Sequence, residues 1–128
     1  LSPCRHVLKE VIKDVNFSNR DQIFAAFGRF TARLHEQGML HADYSMGNIL
    51  FEPTKQGAEF QLVDLNRMRF GQRINCRRGC RNFERIDTDH GALSTIAQAY
   101  AQARGYNVEE CVRLVLKMRW RKHKNKHN

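Results

Sequence analysis

The stretch LHADYSMGNIL, residues 40–50, decides the reading of this chain. It sets His41, Asp43 and Asn48 in the pattern His-x-Asp-x-x-x-x-Asn, inside a segment too polar and irregular for a helix or strand. What flanks the pattern gives it meaning. Upstream, Ile23, Phe27, Phe30 and Leu34 step by four, three and four, which is one face of a helix. Ser18 and Asp21 have capping-box spacing before it, and Gly38 suits the left-handed position past its end. Downstream, residues 49–52 and 59–63 are short β-like runs around Pro53, Lys55 and Gly57, the composition of a hairpin loop. The second run leads into Asp64, so a hairpin returns Asp64 beside Asn48.

That arrangement suits phosphoryl transfer. Asn48 and Asp64 offer hard oxygens of the kind Mg²⁺ prefers, and Asp43 lies where an acceptor hydroxyl would arrive and lose its proton. Loop, helix and hairpin come in the order of the catalytic loop of protein-kinase-like phosphotransferases. His41 is expected to brace the loop by hydrogen bonding. Each residue alone has a plainer use: Asp43 as a turn cap, Asn48 in left-handed backbone, Asp64 at a loop start. Their joint order favours the chemistry.

Elsewhere Val7, Leu8, Val11, Ile12 and Val15 follow Pro3 at helical spacing and predict a first helix over residues 4–15. Residues 67–85 carry seven arginines, with Gly71 and Gly79 expected to break any long helix. Thr88 or Asp89 caps a helix with the face Leu93, Ile96, Ala97 and Tyr100, ending at Gly105. Asn107 with Glu110 opens a last helix through Val112, Val115 and Met118, and the basic tail from Trp120 is expected to fray. The fold class is mainly α, α+β, in a single domain with one minimal sheet. Its core is expected around Phe27, Phe30, Leu34, Leu93, Ile96 and Tyr100.

Composition sets the bounds. With 41% hydrophobic residues and two prolines in 128 residues, the chain can build a core and is not a disordered tail. No apolar run approaches the roughly 20 residues that cross a bilayer, and no leader pattern opens the sequence. Charge is lopsided: residues 1–66 hold seven Lys/Arg and eight Asp/Glu, net −1, whereas residues 67–128 hold fifteen and five, net +10. A basic half meets an anionic partner or merely solubilises the surface. Four cysteines, Cys4, Cys76, Cys80 and Cys111, match no secreted disulfide scaffold. Cys76 and Cys80 could share a helix face, but no second pair stands at zinc spacing, and reduced thiols are the expectation.

The motifs LHADYSMGNILF at 40–51, LVDLNRMRFG at 62–71 and RRGCRNFERI at 77–86 resemble the Kdo/WaaP lipopolysaccharide kinases of the protein-kinase-like superfamily. The resemblance extends more weakly over residues 21–103. It implies the C-terminal lobe of a kinase-like fold, with Asp43 catalytic, Asn48 and Asp64 as Mg²⁺ ligands, and ATP as phosphoryl donor. The family's acceptors are sugar hydroxyls of the lipopolysaccharide core. On that reading Arg67, Arg69, Arg73, Arg77 and Arg78 line the acceptor side, where guanidinium forks suit phosphates and sugar-acid carboxylates.

Three departures from protein kinases point toward a glycan or small-molecule acceptor. Ala42 replaces the usual Arg, Ser45 the usual Lys, and Leu65-Asn66 the Phe-Gly after the metal-binding aspartate. No Gly-x-Gly-x-x-Gly occurs, so residues 1–128 are expected to be a fragment lacking its nucleotide-clamping lobe and inactive alone. Two other readings compete: a basic nucleic-acid-binding module, disfavoured because aromatics are not interleaved with the basic runs, and a pseudokinase scaffold, disfavoured by the intact Asp43, Asn48 and Asp64. The expected location is cytoplasmic. Lys117, Arg119, Arg121, Lys122, Lys124 and Lys126 would give peripheral contact with an anionic membrane at its inner face.

Overall fold

A computed structural model describes residues 4–126, with side chains described through Arg119. Residues 6–7 form β1 (His6–Val7), followed by α1 (Leu8–Lys13) and the long α2 (Arg20–Glu36). Then come β2 (Leu40–His41), a 3₁₀ turn at Met46–Asn48, β3 (Ile49–Thr54) and β4 (Gly57–Leu62). A second 3₁₀ turn at Leu65–Arg67 leads to β5 (Met68–Arg69), α3 (Cys76–Arg81), α4 (His90–Arg104) and α5 (Val108–Lys126). The antiparallel sheet has the order β1-β3-β4, and β2 pairs with β5 as a separate two-stranded ribbon. The architecture is the α+β expected, dominated by helices.

The core gathers where α2 crosses α4. Phe24, Phe27, Leu93, Ile96 and Tyr100 are fully buried there, and Phe30 and Leu34 pack against them half-buried. The crossing is close because Gly28 has no side chain: a Cβ at that position would strike the Ile96 carbonyl oxygen. Phe51 and Phe60 of the hairpin close the other side of α2, with Phe60 ring centroids 5.6 Å from Phe27 and 5.3 Å from Phe30.

Several sequence expectations are corrected by tertiary contacts. The first helix does not begin at residue 4: Arg5 donates its N–H to Glu52 Oε1, and His6 and Val7 pair with Phe51 and Leu50. Extended pairing wins over helical periodicity there, and Val15 is left 70% exposed beyond the helix end. The capping box at Ser18 and Asp21 does not form. Helix α2 starts instead after Asn19, whose backbone is left-handed, because the Arg20 guanidinium anchors the start to the Val11 and Ile12 carbonyls. Pro53 lies inside β3 opposite Ala58, which shortens the hairpin loop to Lys55 and Gln56.

Residues 67–85 hold no long helix, as expected, only the six-residue α3, and Gly79 falls inside it rather than ending it. It sits buried within α3, where a Cβ would collide with the Tyr100 hydroxyl. Asp89 rather than Thr88 caps α4, its side chain accepting from the Ala92 N–H at 3.0 Å, and Gly105 ends the helix at φ 74°. The backbone of α5 is helical through Lys126. Pro3 and the side chains of Trp120, Arg121, Lys122, Lys124 and Lys126 lie outside the described residues. No helix among the described residues is long and apolar enough to cross a membrane.

Candidate functional site

The segment between α2 and β3 is held from both sides. His41 is buried, its Nε2 meets the Val63 carbonyl at 3.0 Å, and its Nδ1 accepts the Asp43 N–H at 3.0 Å. One tautomer, with the proton on Nε2, satisfies both contacts. The Ala42 N–H donates to the Arg67 carbonyl at 2.8 Å, and His41 pairs with Met68 across β2 and β5. Below the loop, the buried Tyr44 stacks on Phe27 at 5.5 Å and shares a 2.6 Å hydrogen bond with Thr31. The loop is therefore rooted on the core face of α2, with Asp43 and Asn48 left half-buried at its outer side.

Asp43 and Asn48 meet directly. Asn48 Nδ2 donates to the Asp43 carbonyl at 3.0 Å and to Asp43 Oδ2 at 3.2 Å. Both amide protons being engaged, the side-chain oxygen of Asn48 is left for another partner. The hairpin brings Val63 back so that its N–H donates to the Asn48 carbonyl at 3.0 Å. Asp64, the next residue, has left-handed backbone at φ 60°, a conformation that Asp tolerates better than most residues. It is exposed and its carboxylate makes no hydrogen bond or ion pair among the described residues. The Asn48 amide oxygen and the Asp64 carboxylate, at the two ends of the hairpin, are both hard oxygen donors of the type Mg²⁺ takes.

Arg85 completes the loop from a distance. Its Nη1 stands 2.9 Å from Asp43 Oδ1, so the two carboxylate oxygens are divided between Arg85 and Asn48. Behind it runs a buried chain of hydrogen bonds. Asn82 Nδ2 donates to the His41 carbonyl at 3.1 Å, and Asn82 Oδ1 meets His35 Nε2 at 2.9 Å. His35 Nδ1 meets the Tyr100 hydroxyl at 2.7 Å, which in turn accepts from Arg104 at 2.9 Å. The donors resolve in one direction only if His35 is neutral: Nε2–H donates to Asn82, and Nδ1 accepts from Tyr100. Burial lowers the His35 pKa to about 4, with Arg104 and Arg78 nearby acting the same way. Burial raises that of Tyr100.

The arginines expected at an acceptor side divide into two groups. Arg67, Arg69, Arg73 and Arg77 are exposed and make no side-chain hydrogen bond or ion pair among the described residues. Arg78 is half-buried and turned toward its own loop, donating to the Arg73 carbonyl at 2.9 Å and to the Gln72 side chain. Arg85 belongs to the RNFER run, Arg81 to Arg85, on which the family resemblance partly rests. Its distance of 42 positions from Asp43 hides the pairing. Arg119 of the basic cluster is committed to Asp87 at 2.8 Å.

A loop rooted on a long helix, an Asp-Asn pair, and a hairpin leading into a second aspartate lie together in a mixed α+β fold consistent with part of a kinase-like fold. The model of the lipopolysaccharide kinase (Kdo/WaaP) family matches residues 7–106, and the chain belongs to that family. A search among curated proteins gives no match. Kinase-type function follows from the family at a general level.

Proposed function

We propose that the complete protein is a Mg²⁺- and ATP-dependent kinase that phosphorylates a sugar hydroxyl on an anionic glycan of lipopolysaccharide-core type. The observation that carries this reading is the Asp43–Asn48 pair, on the loop that His41 holds against Val63, with Asp64 unengaged at the far end of the hairpin. Asp43 orients the acceptor hydroxyl and takes its proton at a carboxylate oxygen. Asn48, through its side-chain oxygen, and Asp64 would hold Mg²⁺. When bound, that ion neutralises charge on the transferred phosphoryl group. Arg85 holds Asp43 in register, and the free guanidinium groups of Arg67, Arg69, Arg73 and Arg77 attract the anionic acceptor.

The 128 residues contain no Gly-x-Gly-x-x-Gly phosphate loop, and the chain by itself should bind ATP weakly. A cytoplasmic site facing a lipid-linked acceptor fits the basic second half. The nucleic-acid and scaffold readings gain no observation in their favour.

The test is phosphoryl transfer by the full-length protein from ATP to core oligosaccharide, with and without Mg²⁺. Asp43→Asn should reduce turnover by about 10² to 10⁴ with little change in nucleotide affinity. Asp64→Ala should remove Mg²⁺-dependent transfer altogether. Undiminished turnover in either variant overturns the assignment.

A further inference from the structure

Away from this site, three thiols converge. Cys76 is the first residue of α3, Cys80 stands one turn later, and Cys111 comes from the first turn of α5. Their Sγ atoms all lie within 4.8 Å of one another, and Cys76 and Cys111 are 3.4 Å apart. The sequence discloses only the first pair, because the third thiol is 31 positions beyond Cys80 and reaches it through helix packing.

We propose that Cys76, Cys80 and Cys111 form a three-thiolate site for a soft d¹⁰ cation, Zn²⁺, with water as the fourth ligand. At a Zn–S length of about 2.3 Å, two thiolates on one tetrahedral ion stand roughly 3.8 Å apart. The Cys76–Cys111 separation of 3.4 Å lies just under that value and no pair exceeds 4.8 Å, so small side-chain rotations bring all three sulfurs onto one ion. Cys80 and Cys111 are buried and Cys76 is half-buried, which leaves the open position on the Cys76 side. Single buried cysteines behave as small apolar residues, but that role does not require three sulfurs from two helices to share one point.

Burial and mutual repulsion push the Cys80 and Cys111 thiols up, Cys111 to about 12, so these two hold their protons in the free site. Each sulfur that binds the ion releases its proton to solvent, and affinity rises with pH. Tyr100, Tyr106 and Glu110 are the other titratable groups that sense this cluster, and Arg104 lies beside both tyrosines. The ion would tie α3 to α5. Asn82 directly follows α3, so the tie also steadies the segment that reaches the His41 carbonyl.

The test is titration of the reduced chain with Zn²⁺ against a chromophoric chelator, and with Co²⁺ followed by its thiolate charge-transfer band. One ion per chain, an intense near-ultraviolet Co²⁺ band and a Tm raised by Zn²⁺ are expected. Cys76→Ser, which alters the half-buried thiol and spares the buried pair, should weaken binding more than about 100-fold, beyond the loss typical of an outer-shell partner. Cys80→Ser should do the same, and Cys4→Ser should change nothing. Uptake unchanged by Cys76→Ser, through surface histidines for instance, overturns the proposal. So does a reduced chain that takes up no Zn²⁺ but loses two hydrogens in air, as a Cys76–Cys111 disulfide would require.

Discussion

Arg85 donates to Oδ1 of Asp43 at 2.9 Å, while Asn48 holds the opposite oxygen at 3.2 Å. The carboxylate is thereby fixed in rotation as well as position. With side chains 50% and 32% exposed, the ion pair contributes little to folding, about 0 to 1 kcal/mol. Its consequence should be kinetic. Arg85→Ala in the full-length protein is expected to leave Tm nearly unchanged and lower kcat by about 10- to 100-fold, the scale of a misplaced reacting group. Arg85→Lys should recover part of the loss, since the single charge–charge contact to Oδ1 can be made by an ammonium group. Steady-state kinetics with ATP KM measured separately checks this: KM for ATP should hold.

Asn82 makes a different kind of contact, because its partners are buried. Asn82→Ala strips a donor from the His41 carbonyl and an acceptor from His35 Nε2, and each orphaned group costs about 1 to 3 kcal/mol. A Tm drop of several degrees is expected, together with slower turnover. In a double-mutant cycle with His35→Gln the two losses should not add, since they interrupt one chain of bonds. Chemical denaturation of the four proteins reads the coupling directly.

What could be read from the sequence was what neighbours in the chain decide. The periodicity of Ile23, Phe27, Phe30 and Leu34 announces α2, and the alternating runs around Lys55 and Gly57 announce the hairpin, because both patterns state which face is buried. The pattern of His41, Asp43 and Asn48 was legible for the same reason, being compact. Partners from remote segments were not. The strand at His6 and Val7 exists only because β3 lies alongside, and the start of α2 depends on where Arg20 finds carbonyls. Cys111 is joined to Cys76 and Cys80 by the packing of α3 against α5, and Arg85 to Asp43 across 42 positions, pairings that no local pattern states.

His35 makes the fold sensitive to acid. Its folded pKa, about 4, lies below the usual value near 6.5, so the unfolded chain binds a proton at a pH where the folded chain does not. Stability from this group is intact above the unfolded value and falls as pH drops from about 6.5 to about 4, by up to roughly 3 kcal/mol. His35→Gln, which retains hydrogen-bonding capacity without titrating, should be less stable at pH 7 yet show a flatter Tm profile between pH 6.5 and 4. An unchanged acid slope in the variant would mean that another group carries it.

Three glycines should respond in a fixed order, because each meets a different neighbour. At Gly28 an added Cβ meets the Ile96 carbonyl oxygen, and backbone in the middle of α4 cannot step aside. Gly28→Ala must push α2 and α4 apart along the core, and a loss at the upper end of the usual 1 to 3 kcal/mol for overpacking is expected. At Gly79 the obstacle is the Tyr100 hydroxyl, the far end of a side chain, which can move only by giving up His35 and Arg104. Gly79→Ala should therefore cost less than Gly28→Ala and should be relieved in part by Tyr100→Phe, which removes the colliding oxygen. At Gly47 nothing lies within 4 Å of the added carbon and the residue is exposed. Gly47→Ala should be neutral or stabilise by a few tenths of a kcal/mol, roughly the entropy removed from the unfolded chain. Urea denaturation of the three single variants and the Gly79→Ala/Tyr100→Phe pair checks the order. Equal destabilisation by Gly28→Ala and Gly47→Ala would mean that α2 and α4 do not cross as closely as the Gly28–Ile96 contact requires.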